Sequence, residues 1–538
     1  MNSRGRHIIE FLLIAVALAA AVFNLPYISD MQDPDEFYQG LACTYYHRSS
    51  PLAPLSYYMG YVFTSVFGNT LMSLRVLMLL CSVASISLGL WYFYRRTRDG
   101  LMCSLLFFAL LTASQIWGMN IYNWDTGCYP FAMCGLIASL AYLGRPTLRR
   151  AMVLAAAWAL MLASRVPMGL TLPFLIAEVI WCHRGDRSEW MRQLACCAFV
   201  ALAVLAALTL LIYGSFGALV DAWAPENIIT GHLEGHRHHI SRIFITGELV
   251  TMNGLIAATV AVGAFMAARL KRGRIWVALA ASVLLILEIS GLHMFVYTDI
   301  RFNAFALITY ALCFYPVYRK WSRGEKAGFM PRVWLTLMFV LCTWPGSDGY
   351  WERPMTLSTM PVALTLCYTP LRRYMHPLAA YMALALAVAL AVKIPYYREH
   401  HEFAFTEKYP RAAGVYIKPE TQRTVPLIDS ILTATPDSIG PVWVIGNGAY
   451  GVEYLTDRHD VTPQFHHFHW LNAWHDADYA KRMLVRYNMV IETSAYHHSR
   501  VDSAAFDSLI REQGFELAAR IAPTNVYRRM KNSDSREK

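Results

Sequence analysis

Charge is what this chain has least of. Asp, Glu, Lys and Arg together make up 16% of its 538 residues, against about 25% in soluble domains. Hydrophobic residues make up 56%, against roughly 45–50%. The three or four water-soluble domains that the length alone would suggest are therefore excluded, and the composition is that of a multi-pass membrane protein. A basic patch is missing too. The net charge of +10, from 47 Lys+Arg against 37 Asp+Glu, is spread over small clusters between apolar runs, so it carries topology rather than a nucleic-acid footprint. The eleven cysteines all lie at or before Cys367, with no CxxC and no regular spacing, and read as small hydrophobes. No internal repeat is found, which weakens an inverted-repeat transporter. The stretch Gly446-Asn447-Gly448-Ala449-Tyr450-Gly451 lacks both the GxGxxG spacing and a following Lys-Ser/Thr, and reads as a strand-to-helix turn rather than a phosphate loop.

What the chain has in quantity is long apolar runs. Approaching the ~20 residues that cross ~30 Å of hydrocarbon, they recur at 8–28, 72–93, 101–118, 127–143, 151–164, 166–182, 194–213, 249–269, 275–293, 301–317, 332–345, 356–370 and 377–394. That gives about 13 transmembrane helices, with 151–164 and 332–345 the shortest. Arg4 and Arg6 before the first run also fit a cleaved signal peptide, but Glu10 interrupts that run and many spans follow it, so a first transmembrane helix is expected. With the N-terminus cytoplasmic, 20 Lys/Arg fall on one side and 6 on the other, an orientation set by the positive-inside rule. Thirteen crossings then leave everything after Ile394 outside the cytoplasm.

That tail, 395–538, is polar and alternates in pattern. Strands are expected at 442–446, 488–492, 515–521 and 525–529, and helices at 474–487 and 503–513. The expected fold is a multi-pass α-helical transmembrane domain over 1–394 with a C-terminal soluble α/β domain over 395–538. Two outward loops, 29–71 and 214–248, are long enough to do more than turn.

Directly after the first span comes Met31-Gln32-Asp33-Pro34-Asp35-Glu36-Phe37-Tyr38, three carboxylates within four positions. Like charges this close call for a cation, a proton or a catalytic purpose; the alternative is a solvated turn whose Asp caps the next helix. Then follow Pro54-Leu55-Ser56-Tyr57-Tyr58, Phe67-Gly68-Asn69 and Leu74-Arg75-Val76, so that an acidic pair, a Pro-Leu-x-Tyr stretch and an arginine entering the membrane form an ordered series.

In this series the chain resembles the glycosyltransferase-C superfamily, in particular the branch of protein O-mannosyltransferases and lipid A aminoarabinose transferases. Asp35-Glu36, Pro54-Leu55-Ser56-Tyr57 and Arg75 match its first outer loop, and Asp125 in Tyr122-Asn123-Trp124-Asp125-Thr126 matches an acidic residue at the outer end of the fourth helix. The resemblance covers most of the chain through short motifs whose order and topology carry the specificity. It implies an inner-membrane enzyme that transfers a sugar from a polyprenyl-phosphate donor to a lipid, glycan or protein acceptor on the outer face. In the loop Asp33-Pro34-Asp35-Glu36, either aspartate could take the catalytic position; Asp35 is favoured because the family's pair is Asp followed directly by Glu.

The chemistry suits these residue types. An acceptor hydroxyl displaces a lipid phosphate once a positioned carboxylate takes its proton, a gain of typically about 10²–10⁴-fold. By resemblance that base is Asp35, with Glu36 and Asp33 beside it. The departing phosphate gains charge that cations stabilise, and Arg75, Arg165 and Arg301 are candidates; the alternative for each is snorkelling to headgroups. Substrate contacts are further expected at Asp125, Tyr57, Tyr58 and, beside Asp299 and Arg301, His293. No cofactor is certain, but a divalent metal is possible, with His232 and His236 at i,i+4 as the weak candidate ligands. His466, His467, His469 and His475 read as surface or interface residues. A flippase and a polysaccharide ligase or polymerase remain alternatives; carboxylates gathered at one outer face, rather than spread through mid-span positions, favour surface chemistry over transport.

Overall fold

A computed structural model describes residues 3–27, 36–48, 52–116, 121–223, scattered positions from 359 to 391, 402–403, 408–446, 448–458, 481–493 except 483, 503–521 and 524–530. Seven of the expected spans fall in the first 213 residues, and each is helical. They correspond to α1 (Ser3–Asn24), α4 (Leu71–Thr97), α5 (Gly100–Ile116), α6 (Trp124–Gly144), α7 (Leu148–Ser164), α8 (Leu172–Cys182) and α9 (Arg187–Tyr213). Between α1 and α4, the first long loop folds into α2 (Phe37–Thr44) and α3 (Pro54–Phe67), and a short α10 (Phe216–Ala222) follows α9.

Polar residues at the span boundaries set where these helices begin. Thr70, Thr147, Asp186 and Ser215 each accept a backbone N–H from the first turn of α4, α7, α9 and α10. At α6, Asn123 and Thr126 bond reciprocally as a capping box. Each such cap satisfies an orphan donor that the apolar layer could not. Gly214 ends α9 in the left-handed region at φ 74°, where a residue without Cβ carries no steric cost.

One expected span is not a single helix. Over 166–182, Val166–Thr171 is 3-10 and α8 proper has 11 residues, about 16 Å of rise against ~30 Å of hydrocarbon. Pro167 lies in the short turn and Pro173 in the first turn of α8, where a missing N–H is tolerated. Among the described helices, α1, α4, α6 and α9 are long and apolar enough to cross a membrane. The two buried most deeply, α4 and α6, pack on each other, while α1 and α9 leave Phe11, Phe23, Phe199 and Leu202 exposed. In water such faces would aggregate; in a bilayer they meet acyl chains. The spans expected over 249–345 lie outside the described residues, and 356–370 and 377–394 are described in part, as helix.

The basic end of this bundle is tied by one buried carboxylate. Asp99, between α4 and α5, faces Arg6 at 2.8 Å, His376 at 3.0 Å and Arg372 at 3.3 Å, and accepts from Tyr368. Next to it, Arg95 and Arg98 lie over Trp91 and Tyr94, the aromatic–cation mixture of a membrane interface.

The later chain carries strands. Short β1 (Glu402–Phe403) and β2 (Tyr416–Ile417) pair antiparallel. A second sheet has the order β3-β4-β6-β5, from β3 (Val442–Ile445), β4 (Met489–Thr493), β5 (Phe515–Ile521) and β6 (Thr524–Arg529). The β3–β4 pair is parallel and the others antiparallel. Helices α11 (Pro419–Ala434), α12 (Gly448–Thr456) and α13 (Ser503–Glu512) accompany it. Gly446, at φ 108°, makes the turn from β3 towards α12. Of the helix expected over 474–487, only 481, 482 and 484 are described as helical. The buried face of α12 packs across α2, where a Cβ on Gly40 would meet the Tyr454 ring at 2.6 Å, so the segment between α1 and α4 packs against the later chain.

Within that segment, α2 and α3 meet closely at Gly60, where a Cβ would stand 2.2 Å from Cys43 Sγ. Gly60→Ala is expected to cost roughly 1–3 kcal/mol by overpacking and to lower the thermal unfolding midpoint of the detergent-solubilised protein. Adding Cys43→Ala should restore part of the loss; an unchanged midpoint in the single variant would show that the helices do not meet there.

Candidate active site

The site is built on the first outer segment, and one buried ion pair anchors it. Glu36 opens α2, and Arg75 sits in the first turn and a half of α4. Arg75 Nε and Nη2 donate to the two Glu36 carboxylate oxygens at 2.6 and 2.8 Å. Its Nη1 donates to the carbonyls of Leu25 and Tyr27, both at 2.8 Å, just past the end of α1. Glu36 is 2% exposed and Arg75 0%. A bidentate guanidinium–carboxylate pair is the strongest form of charged hydrogen bonding, and here it ties the end of α1, the start of α2 and the start of α4 at one point. Arg75, expected from the motif to meet the donor phosphate, has four N–H donors engaged within the protein and no exposure. Glu36 holds the turn in the same way and does not present a free carboxylate. Asp33 and Asp35 lie outside the described residues.

A second buried pair repeats the device. Asp125, in the first turn of α6, forms an ion pair with Arg165, the C-cap residue of α7; their side chains are 0% and 4% exposed. An acid at the positive end of a helix is favoured by the helix dipole. Both residues were expected to touch substrate; their burial makes them the link that holds the α6 and α7 ends together.

The Pro-Leu-Ser-Tyr stretch lies across that link. Pro54 supplies the first residue of α3, where its missing N–H costs nothing. Ser56 Oγ donates to the Ser164 carbonyl at 2.8 Å, Tyr122 donates to the Ser56 carbonyl at 2.6 Å, and Val166 N–H donates to the Leu52 carbonyl at 2.7 Å. Gly127 is required below: a Cβ there would meet Ser56 Oγ at 2.5 Å. Tyr57, expected to contact substrate, is fully buried, with burial, then Tyr38, pushing its phenol well above the ordinary range. Tyr58 is half-buried and faces outward enough to meet Tyr46 at 5.3 Å and Tyr61 at 6.4 Å. This aromatic group, with Tyr61 exposed, was missed from sequence at Tyr46 and Tyr61, although Tyr58 and Tyr61 stand at the i,i+3 spacing of one helix face.

From the other side the segment meets the later chain. Phe37 and Tyr38 pack on Tyr454 and Tyr450 with ring centroids 6.2 and 5.6 Å apart. Tyr454 also donates to Asn69, which donates to Thr44. Tyr416 stacks on Tyr27 at 5.0 Å, and its N–H donates to the Pro26 carbonyl. Arg301, His293, His232 and His236 lie outside the described residues. Among the described residues no group of three His, Cys, Asp or Glu could hold a metal ion.

Two buried arginine–carboxylate pairs, one fastening the segment between α1 and α4 and one joining the ends of α6 and α7, in an apolar helical bundle, describe a membrane protein. No protein-family model matches the chain, and no curated protein does. Similar solved structures are ArnT from Cupriavidus metallidurans in the apo state (13% identity over 96% of this chain and 97% of that one, TM-score 0.47) and the same protein bound to undecaprenyl phosphate (12%, 99% and 99%, 0.48). The oligosaccharyltransferase of Archaeoglobus fulgidus, complexed with zinc and sulfate, is also similar (15%, 89% and 68%, 0.44). All three TM-scores lie below 0.5, and the functional reading rests on the chain's own residues.

Removing one partner of a buried pair strands the other charge, at about 3–5 kcal/mol, whereas removing both is far milder. Arg75→Leu is therefore expected to destabilise the solubilised protein strongly, and Glu36→Leu with Arg75→Leu to recover most of its unfolding midpoint. A double variant no more stable than the single would refute the pairing.

Proposed function

We propose that this chain is an integral-membrane inverting glycosyltransferase that takes a sugar from a polyprenyl-phosphate donor at the outer face of the inner membrane. The carrying observation is the Glu36–Arg75 pair. It fastens the residue next to Asp35 to the ends of two membrane helices, which supports a reacting carboxylate held at the level of lipid phosphates. Pre-positioning of this kind is what a general base needs.

In the proposed reaction the acceptor oxygen attacks the anomeric carbon. Its proton passes to the Asp35 carboxylate, and the bond between that carbon and the phosphate oxygen breaks with its electron pair on the departing polyprenyl phosphate. Asp33 is the second candidate for the base. Since Arg75 and Arg165 are each buried against a carboxylate, the cation for the leaving phosphate falls to Arg301, with His293 nearby in sequence. A divalent ion is a further candidate for that charge; Asp33, Asp35 or the His232/His236 pair would have to hold it, because Glu36 and Asp125 are committed to arginines. The half-buried ring of Tyr58, with Tyr46 and Tyr61, suits stacking on a sugar face. The acceptor is a hydroxyl or phosphate of a lipid, glycan or protein. In this reading residues 1–394, with outer loops 29–71 and 214–248, form the catalytic membrane part. Residues 395–538 form an extracytoplasmic domain and the N-terminus is cytoplasmic.

Asp35→Asn is expected to abolish transfer from a polyprenyl-phosphate sugar while leaving the unfolding midpoint within about 0.5 kcal/mol equivalent of the parent, as for a surface change. Full turnover in that variant would move the base to Asp33. In cells, loss of the protein should remove a hexose-, pentose- or aminosugar-sized mass from one surface acceptor and let its lipid-linked donor accumulate, read by mass spectrometry. Unchanged glycans with altered lipid asymmetry would instead indicate a flippase.

A further inference from the structure

Helix α2 has eight residues, about 12 Å of length, and a helix this short keeps its shape and place only through what packs on it. All of Phe37–Cys43 is buried. Its start is fastened to the membrane helices through the Glu36–Arg75 pair. One fastening at one end leaves a short helix free to pivot, and the middle and far end of α2 are held by a different part of the chain.

That part is α12. Tyr450 and Tyr454, four positions apart, stand on one face of it, with Gly451 beside them. Tyr450 meets Tyr38 edge-on at 5.6 Å, and a Cβ on Gly451 would stand 3.5 Å from the Phe37 ring. The Tyr454 ring lies on the bare backbone of Gly40, where a Cβ would come within 2.6 Å of it. Its hydroxyl donates to Asn69 Oδ1 at 3.2 Å, Asn69 Nδ2 donates to Thr44 Oγ1 at 2.9 Å, and Thr44 Oγ1 donates to the Gly40 carbonyl at 2.8 Å. This chain of bonds returns to the residue beneath the ring and takes in the turn between α3 and α4 on the way.

Tyr454 is itself held. It is fully buried, Arg411 lies over its ring at 5.4 Å, and Arg411 Nη1 donates to the Tyr454 carbonyl at 2.6 Å. Arg411 Nη2 is fixed in turn by Asp457 at 2.7 Å. Gly40 stands four residues after Glu36, about 6 Å along the axis. Two holds that far apart, one from the membrane helices and one from the later chain, set a direction as well as a point.

We propose that Tyr454 is a positioning residue for the reacting carboxylate: it closes on Gly40 and fixes the direction of α2, whose start is joined to Asp35. This rests on Asp35 as the base of the proposed transfer, and it makes the chain beyond 394 part of the frame of the reaction centre.

The test is backbone hydrogen exchange, read by mass spectrometry on the full-length protein in maltoside detergent, alongside transfer in cells carrying equal amounts of each variant. In Tyr454→Leu the amides of 37–44 are expected to exchange roughly 10–100-fold faster, because a cavity beside the helix favours local opening. Those of β3, β4 and α4 should exchange as in the parent. Sugar occupancy of the surface acceptor should fall roughly 10–100-fold, the effect of a misplacement of about 1 Å. Tyr454→Phe keeps the ring and should restore most of both. Its residual loss, like that of Asn69→Ala, should be about the 2–10-fold of one neutral hydrogen bond, so these two variants carry the test if Tyr454→Leu does not fold. Unchanged exchange at 37–44 in Tyr454→Leu, faster exchange there with full transfer, or equal loosening of the sheet would each overturn the role of Tyr454. A parent that transfers no sugar refutes the glycosyltransferase reading instead, and the exchange data then decide by themselves whether Tyr454 holds α2.

Discussion

Arg75 enters the apolar layer near the start of its helix, where an unpaired guanidinium would be costly. It is accommodated because Glu36 meets both of its donor edges and the end of the first helix supplies two carbonyls. The constraint runs both ways. Glu36 is drawn into the interior, and the described chain on the two sides of residues 28–35 is held at the end of α1 and the start of α2. The rest of the outer face is arranged around that fastening. The Asp125–Arg165 pair repeats it between α6 and α7, and α3 bridges the two through Ser56 and Tyr122.

Packing adds what ion pairs do not. Gly40, Gly60 and Gly127 are the places where α2, α3, α6 and α12 come too close for a side chain. Aromatic residues of the first outer segment, Phe37, Tyr38 and Tyr27, meet Tyr454, Tyr450 and Tyr416 from much later in the chain. Packing of this kind restricts the segment, as the proposed general base would require.

The apolar runs up to Tyr213 were legible because a span of about 20 apolar residues has few alternatives to a helix in a bilayer. The exception, 166–182, was hidden because hydropathy does not distinguish a short 3-10 turn and an 11-residue helix from one continuous span. The strands at 442–445, 489–493 and 515–529 follow runs rich in Val, Ile, Tyr and Phe. By contrast α11 buries Val425, Ile428 and Leu432 along one face but carries the internal Pro426, a helix breaker by rule, and was not expected. Among site residues, sequence picked out Glu36, Arg75, Asp125 and Arg165 but assigned the last three to substrate, because a charge in an apolar setting advertises itself without saying what it faces.

By itself, then, the sequence determined the membrane class, six of the seven helical spans of the first 213 residues and the handful of charged residues placed at the ends of those spans. Hydrophobicity and length are local quantities, and they suffice for that. Only the tertiary structure decided which charges neutralise one another: Glu36 with Arg75 across 39 positions, and Asp125 with Arg165 across another interval of the same order. It also decided that Tyr57 is fully buried while Tyr58 is half-buried beside Tyr46 and Tyr61. These are questions of which helix lies beside which, and partner choice in the membrane depends on close packing between distant segments, which no local pattern records.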